Sequence, residues 1–235
     1  MMAFRPPNGV SDQPFDAQFM KGPVWRLEDP GQAVEAVATA RPIGIQLIHG
    51  RFDPVVDLSG LGFRRIETLV TYEGPLDPAV GMPSGIRPGD PADANACREI
   101  AGAAFTHDRW HADPEIPDRA AVAFKGAWVE NDLRGRADTV LIATDPDDAR
   151  MVQGFLLVLE RRGVAIIDLI AVAPRMQGRG VGRRLMTALS AACGGRCAIG
   201  RAGTQETNLD AIRLYERCGW RLVDRKITWH WTPRE

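Results

Sequence analysis

One stretch limits the fold more than any other. The apolar run "VAIIDLIAVAP" (164–174) passes directly into "RMQGRGVGRRL" (175–185), and the pattern then turns helical. A buried strand, a glycine turn and a helix are therefore joined without a linker. The glycines Gly178, Gly180 and Gly182 alternate with larger residues, so the run reads G-x-G-x-G. A dinucleotide fingerprint needs G-x-G-x-x-G in a first strand–helix turn and an acidic residue about 20 positions on. Here the turn comes late in the chain, and the sequence from 197 reads "CAIGRAGTQ". A P-loop fails too, because no Gly-Lys-Ser/Thr is present. What remains is the physics of an anion site. Glycines expose backbone N–H groups, and a helix starting near Gly182 adds its positive end. Arg179, Arg183 and Arg184 place charge at the rim. A pyrophosphate is the natural ligand.

The surroundings decide what kind of sheet holds this turn. Upstream, 90–105 has helical spacing with Asp90 or Asp93 as cap, and 117–135 is a second helix turning Val122, Trp128, Val129 and Leu133 to a core. Residues 137–174 read as three strands, with turns around "DPDD" and "RRG". Behind the glycine turn come a helix, the strand "RCAIGRAGTQ", a helix from the cap Asn208 to Gly219, and a last strand "WRLVDRKITWHW". An antiparallel meander passing into a strand–helix–strand unit predicts a mixed α/β sheet. Nearer the start, 31–41 reads as a helix, 42–50 as a buried strand, and 58–73 as a helix end, a glycine stop and a strand. The Pro/Gly-rich segment 72–94 is the sharpest shift in composition, which sets domains at 1–80 and 81–235. "LGFRRIETLVTY" (61–72) also aligns without gaps with "CGWRLVDRKITW" (218–229), as a truncated internal copy would.

Bulk properties exclude several classes. A formal net charge of -1 argues against nucleic-acid binding, which needs clustered positive charge. No apolar run approaches the ~20 residues of a membrane span, and the start "MMAFRPPNGVSDQPF" lacks a signal pattern. Cys97, Cys193, Cys197 and Cys218 form no CxxC pair and have no histidine at zinc spacing, so no metal is expected. Reduced thiols in a cytoplasmic protein are the expectation. The strand "KITWHW" (226–231) stands equally as a homodimer contact or as a buried edge.

Two motifs together resemble the GNAT superfamily of N-acetyltransferases. The strand "IIDLIAVAP" followed by Gln177-Gly178-Arg179-Gly180-Val181-Gly182 is similar to that superfamily's acyl-CoA motif. "TNLDAIRLYERCGWRLVDR", with Asn208, Ala211, Leu214, Tyr215, Gly219 and Trp220, is similar to its second motif. The resemblance implies acetyl-CoA as co-substrate, with its pyrophosphate on amides from Gln177 to Gly182 and Arg183 beside them. It implies that the strand at Ile170, Ala171 and Val172 splays from its neighbour and pairs with pantetheine. The Val172 amide would polarise the thioester carbonyl. Asn208 and Tyr215 would share one helix face, with Tyr215 protonating the leaving thiolate.

The segment 101–135 further resembles the acetyltransferases of nucleotide-linked amino sugars, a family with a smaller N-terminal domain built as a partial GNAT unit. On this resemblance the acceptor is a sugar nucleotide, with His107, Arg109, Trp110 and Trp128 as its binding residues. Arg109 would pair with a diphosphate and Trp110 would stack on a ring. Other amines (an amino acid, an antibiotic, a protein N-terminus) and a non-catalytic coenzyme A sensor are the competing expectations. No general base is assigned.

Overall fold

The computed structural model describes residues 6–106, 108–145 and 148–233. The chain forms two compact units that interleave along the sequence. The N-terminal unit takes the described residues of 1–69, 107–124 and 225–235, and the C-terminal unit takes those of 70–106 and 125–224.

In the N-terminal unit, β1 (Val10–Asp12), β2 (Val24–Leu27), β3 (Leu47–Phe52), the part of β10 (Arg221–Trp231) from 225 on and the part of β4 (Arg64–Pro75) up to 69 lie side by side in that order. Strands β2 and β3 are parallel, with α2 (Ala33–Ile43) between them in the chain, whereas β10 meets β3 antiparallel. Asp29 accepts from the Gly31 N–H at 2.9 Å to start the entry turn of α2, and Gly44 at φ +77° ends that helix. The small buried stripe Ala33, Ala36 and Ala40 lets α2 approach the sheet closely, where Trp25, Leu27, Ile48, Ile227, Trp229 and Trp231 meet it. Two short helices, α1 (Pro14–Ala17) and α4 (Arg109–Ala112), complete this unit. The strand "KITWHW" is not a free edge: Ile227–Trp231 pair with β3, and these residues are buried.

The C-terminal unit contains β5 (Ile86–Pro88), β6 (Thr139–Thr144), β7 (Val152–Arg161), β8 (Val164–Val172) and β9 (Ile199–Gln205). Strands β5 to β8 are successively antiparallel, and β9 joins β8 in parallel through α6 (Val181–Cys193). The expected meander and strand–helix–strand unit are both present. One face packs against α6 and α7 (Leu209–Arg217), and the other against α3 (Ala94–Ala104) and α5 (Asp118–Asn131). Asp90 accepts from Ala92 N at 2.7 Å and forms a capping box with Asp93 ahead of α3. Val129 and Leu133 are buried as expected, but Val122 is 47% exposed, because α5 turns that side to solvent. The "DPDD" turn falls partly on 146–147, outside the described residues.

Strand β8 carries a bulge. Leu157 pairs with Leu169 and Val158 with Ile167, so Asp168 is the extra residue. The side-chain alternation shifts there: Ala165 and Ile167 join the α6 face, and Leu169 and Ala171 join the α3 face.

Trp220 lies over two glycines of this unit. A Cβ at Gly74 would meet its Cδ1 at 2.1 Å, and one at Gly200 would meet its Cζ2 at 2.5 Å. Neither contact admits a methyl group without moving a buried indole. Gly74→Ala should therefore lower unfolding stability by about 1–3 kcal/mol, read as a lower urea midpoint at unchanged slope.

Candidate functional site

The parallel pairing of β8 with β9 runs from Val164↔Ile199 to Ile167↔Ala202 and stops at the bulge. Beyond it, the antiparallel ladder with β7 fixes where each backbone group points. Ala173 N–H donates to Gln153 O at 2.9 Å, so 173 and 153 form a hydrogen-bonded pair. Pairs alternate along such a ladder. Ala171 therefore spends its amide and carbonyl on Phe155, while Ile170 and Val172, opposite Leu156 and Gly154, turn theirs to the side β9 has left. The expected splay is present in this form, with Ile170 and Val172 facing the gap and Ala171 facing β7. Gln177 Nε2 donates to Val172 O at 3.2 Å, which leaves the Val172 N–H aimed into the opening.

The glycine turn follows at once. A short 3-10 turn, Pro174–Met176, leads to Gly178 at φ +73° and Gly180 at φ +80°, conformations that favour glycine. The α6 ladder begins with Arg184 N–H donating to Gly180 O at 3.0 Å. The N–H groups of Val181, Gly182 and Arg183 thus lie outside it, at the positive helix end. Gly182 is needed for packing, since a Cβ there would stand 3.2 Å from Leu214 Cδ2 on α7. Gln177, Arg179 and Arg183 are exposed around the turn. Arg184 is not a rim charge: it bonds Gln153 Oε1 at 2.7 Å and Ser84 O at 3.1 Å, so its guanidinium is held by the fold.

Helix α7 begins at Asn208, whose Oδ1 accepts from Ala211 N at 3.3 Å. Tyr215 is 2% exposed, stacked on Trp220 with centroids 5.6 Å apart and 5.8 Å from the ring of Tyr72. Burial pushes its phenol up, so it stays protonated at neutral pH.

The expected acceptor residues that are described fall in different units. His107 lies outside the described residues. Arg109 donates to Asp16 Oδ2 at 2.6 Å, and Trp110 is 1% exposed and stacked on Phe124 at 4.3 Å, all within the N-terminal unit. Trp110 therefore offers no open face for a ring. Trp128 belongs to the C-terminal unit, where its Nε1 donates to Asp168 Oδ2 and Lys125 Nζ stands 4.5 Å over its ring.

That contact leads to a group the sequence reading passed over. Arg136 Nη1 reaches both Asp132 Oδ1 and Asp168 Oδ2. Asp132 is wholly buried. Desolvation first, then hydrogen bonding and repulsion from Asp168, raise its carboxyl to about 7 against the opposing pull of Arg136. With its carboxyl raised to about 7, Asp132 is the group here that still holds a proton near neutral pH. Asp168 stands at the bulge where β8 and β9 part. Among the described residues, no group of three or more His, Cys, Asp or Glu could hold a metal ion.

The acetyltransferase (GNAT) family model matches residues 96–220. The chain is 33% identical over 150 residues to the spore coat polysaccharide biosynthesis protein SpsD of Bacillus subtilis, covering 63% of this chain and 51% of that protein. It thus spans about half of SpsD's length. It is also 32% identical over 167 residues to the dTDP-fucosamine acetyltransferase of Escherichia coli O6:H1, covering 69% of each. Among solved structures, a GCN5-related N-acetyltransferase from Sphaerobacter thermophilus superposes with a TM-score of 0.61 at 17% identity, over 96% of this chain and 76% of that one. A tandem GNAT protein of the clavulanic acid biosynthesis pathway does so at 0.58 and 15% identity, over 90% and 76%. The splayed strand, the glycine turn and the family match over 96–220 agree, and the chain belongs to the GNAT family of acetyltransferases.

Proposed function

We propose that this acetyltransferase moves the acetyl group of acetyl-CoA to the primary amine of a nucleotide-linked amino sugar, by direct attack in a ternary complex. The observation that carries the reading is the adjacency of two features on β8 and α6. The gap edge at Ile170 and Val172 suits an extended amide-bearing chain, and the free N–H groups at Val181 to Arg183 suit a diphosphate. The acceptor class is supported by the relative named dTDP-fucosamine acetyltransferase and, more broadly, by the one named for spore coat polysaccharide biosynthesis.

Bound acetyl-CoA supplies the thioester. The Val172 N–H donates to its carbonyl oxygen, where negative charge develops. Tyr215, held protonated by burial, gives its proton to the departing sulfur. Asp168, kept in place by Trp128 and Arg136, accepts the proton that the acceptor's ammonium must lose. Asn208 caps α7 and so fixes the helix that carries Tyr215. All four cysteines are free thiols, in keeping with a cytoplasmic site of action.

A thiol-release assay over dTDP- and UDP-linked amino sugars, amino acids, aminoglycosides and peptides tests the acceptor. Fastest release with an amino-sugar nucleotide is the expected outcome. Preference for a peptide or an aminoglycoside would replace this acceptor with another, and release with none would leave a coenzyme sensor. Tyr215→Phe should lower kcat by about 10- to 100-fold with the acetyl-CoA Kd nearly unchanged, because only the proton is removed. Normal turnover in that variant would take Tyr215 out of the mechanism.

A further inference from the structure

The chain has two tyrosines, Tyr72 and Tyr215, and their rings meet, with centroids 5.8 Å apart and planes tilted by 38°. Tyr72 lies outside the family-matched segment 96–220, on the part of β4 from 70 on, which belongs to the C-terminal unit. That part of β4 is the neighbour of β9. Leu76 N–H donates to Ala198 O at 3.0 Å just past its end, and the indole of Trp220 crosses Gly74 and Gly200. Alternation turns Val70 and Tyr72 to the same face, into the cluster that also holds Leu185, Tyr215 and Trp220. A strand that precedes the matched segment therefore builds part of the wall behind Tyr215.

Tyr72 is tied to the helix that carries Tyr215. It is 5% exposed, and its hydroxyl donates to Glu216 Oε1 at 3.2 Å, on the residue that follows Tyr215 in α7. Its phenol proton is thus engaged by a carboxylate. Trp220 supplies the other ring contact, stacked on Tyr215 at 5.6 Å with the planes 17° apart, and its N–H returns to Tyr215 O at 3.0 Å. The torsion that turns a tyrosine ring about its Cβ–Cγ bond is broad, so α7 alone does not fix the angle of the Tyr215 phenol. Neighbouring rings must do so. The angle matters, because an acid works only with its oxygen within hydrogen-bond reach of the atom it protonates, and a misplacement of about 1 Å costs on the order of 100-fold in rate.

We propose that Tyr72 is a positioning residue for Tyr215. It touches no substrate; it sets the angle of the phenol whose proton passes to the coenzyme sulfur as the C–S bond of the thioester breaks. The proposal rests on the acid role given to Tyr215 above. Leucine at 72 would keep an apolar wall but lose both the ring contact and the tie to Glu216. Phenylalanine would keep the ring contact and lose the tie alone.

The test is a double-mutant cycle on the whole chain, with kcat, the acetyl-CoA Kd and the thermal midpoint measured for Tyr72→Leu, Tyr72→Phe, Tyr215→Phe and the paired variants. The acceptor is the amine of the panel above that releases thiol fastest. Tyr72→Leu should lower kcat by about tenfold and Tyr72→Phe by about two- to threefold, each with the acetyl-CoA Kd unchanged. Added to Tyr215→Phe, either change at 72 should alter kcat by less than about twofold, because no acid remains to be held. The same fold-loss in both backgrounds marks a merely structural wall and overturns the proposal, as does an unchanged kcat in Tyr72→Leu. Where Tyr72→Leu fails to fold, the Tyr72→Phe arm of the cycle decides in the same way. Normal turnover in Tyr215→Phe, or thiol release with no amine, removes the acid reading and the proposal with it, whereas equal losses beside an impaired Tyr215→Phe remove the proposal alone.

Discussion

Gly180→Asp should abolish acetyl-CoA binding, with a Kd at least 100-fold higher by calorimetry, while the thermal midpoint stays within a few degrees of wild type. Gly180 sits at φ +80°, where Asp is among the few L-residues that settle. A Cβ there has nothing within 4 Å, so no packing is disturbed. The position is the N-cap of α6, where a carboxylate favours the helix by about 0.5–1 kcal/mol and so offsets the backbone strain. The same carboxylate would occupy the N–H groups of the first turn and repel a diphosphate. Stability and binding are thereby separated, which a bulky residue at Gly182 would not achieve, because Leu214 packs against it. Arg183→Ala should cost only about three- to tenfold, since exposed charges contribute little beside oriented amides. A Gly180→Asp chain that binds acetyl-CoA normally would remove the pyrophosphate from this turn.

Local signals made the coenzyme half of the fold legible. The apolar run at 164–172, the glycines behind it and the cap at Asn208 are each decided within a few residues, and all three occur where the pattern puts them. The surroundings of 108–116 were not legible, because tertiary partners set them. "THDRWHADPE" reads as a polar loop, yet Trp110 finds Phe124 and Asp113 finds His230, 117 positions away. "KITWHW" alternates like a strand with one wet face, and nothing local says that 109–116 returns to cover it. One signal was present and unused. An aspartate inside "VAIIDLIAV" interrupts a strand apolar on both faces, and a charge there needs a reason. Its reason is the bulge and the bonds its carboxylate makes to Trp128 and Arg136.

The raised carboxyl of Asp132 beside Asp168 sets the second large effect. Asp168→Asn should lower kcat/KM by about 100- to 1,000-fold at pH 7.5, because the amide keeps its shape and its Trp128 contact but accepts no proton. Asp132→Asn should act differently. In the wild type, Asp132 beside Asp168 loses its proton near 7, so kcat/KM should climb through an acid limb near that pH. Removing the second carboxyl removes the group that titrates near 7. The limb near pH 7 should then disappear, with activity at pH 6 rising relative to wild type. Stability must follow the opposite course in the wild type. A carboxyl raised from 3.8 to about 7 holds its proton more tightly folded than unfolded, so it stabilises the fold fully below about pH 4. That contribution fades as pH rises to about 7 and is flat above, and in Asp132→Asn the slope between those values should disappear. A merely structural pair would show the stability slope alone. An acid limb that stays near pH 7 in Asp132→Asn, with kcat/KM intact in Asp168→Asn, would confine these carboxylates to holding α5 against β8.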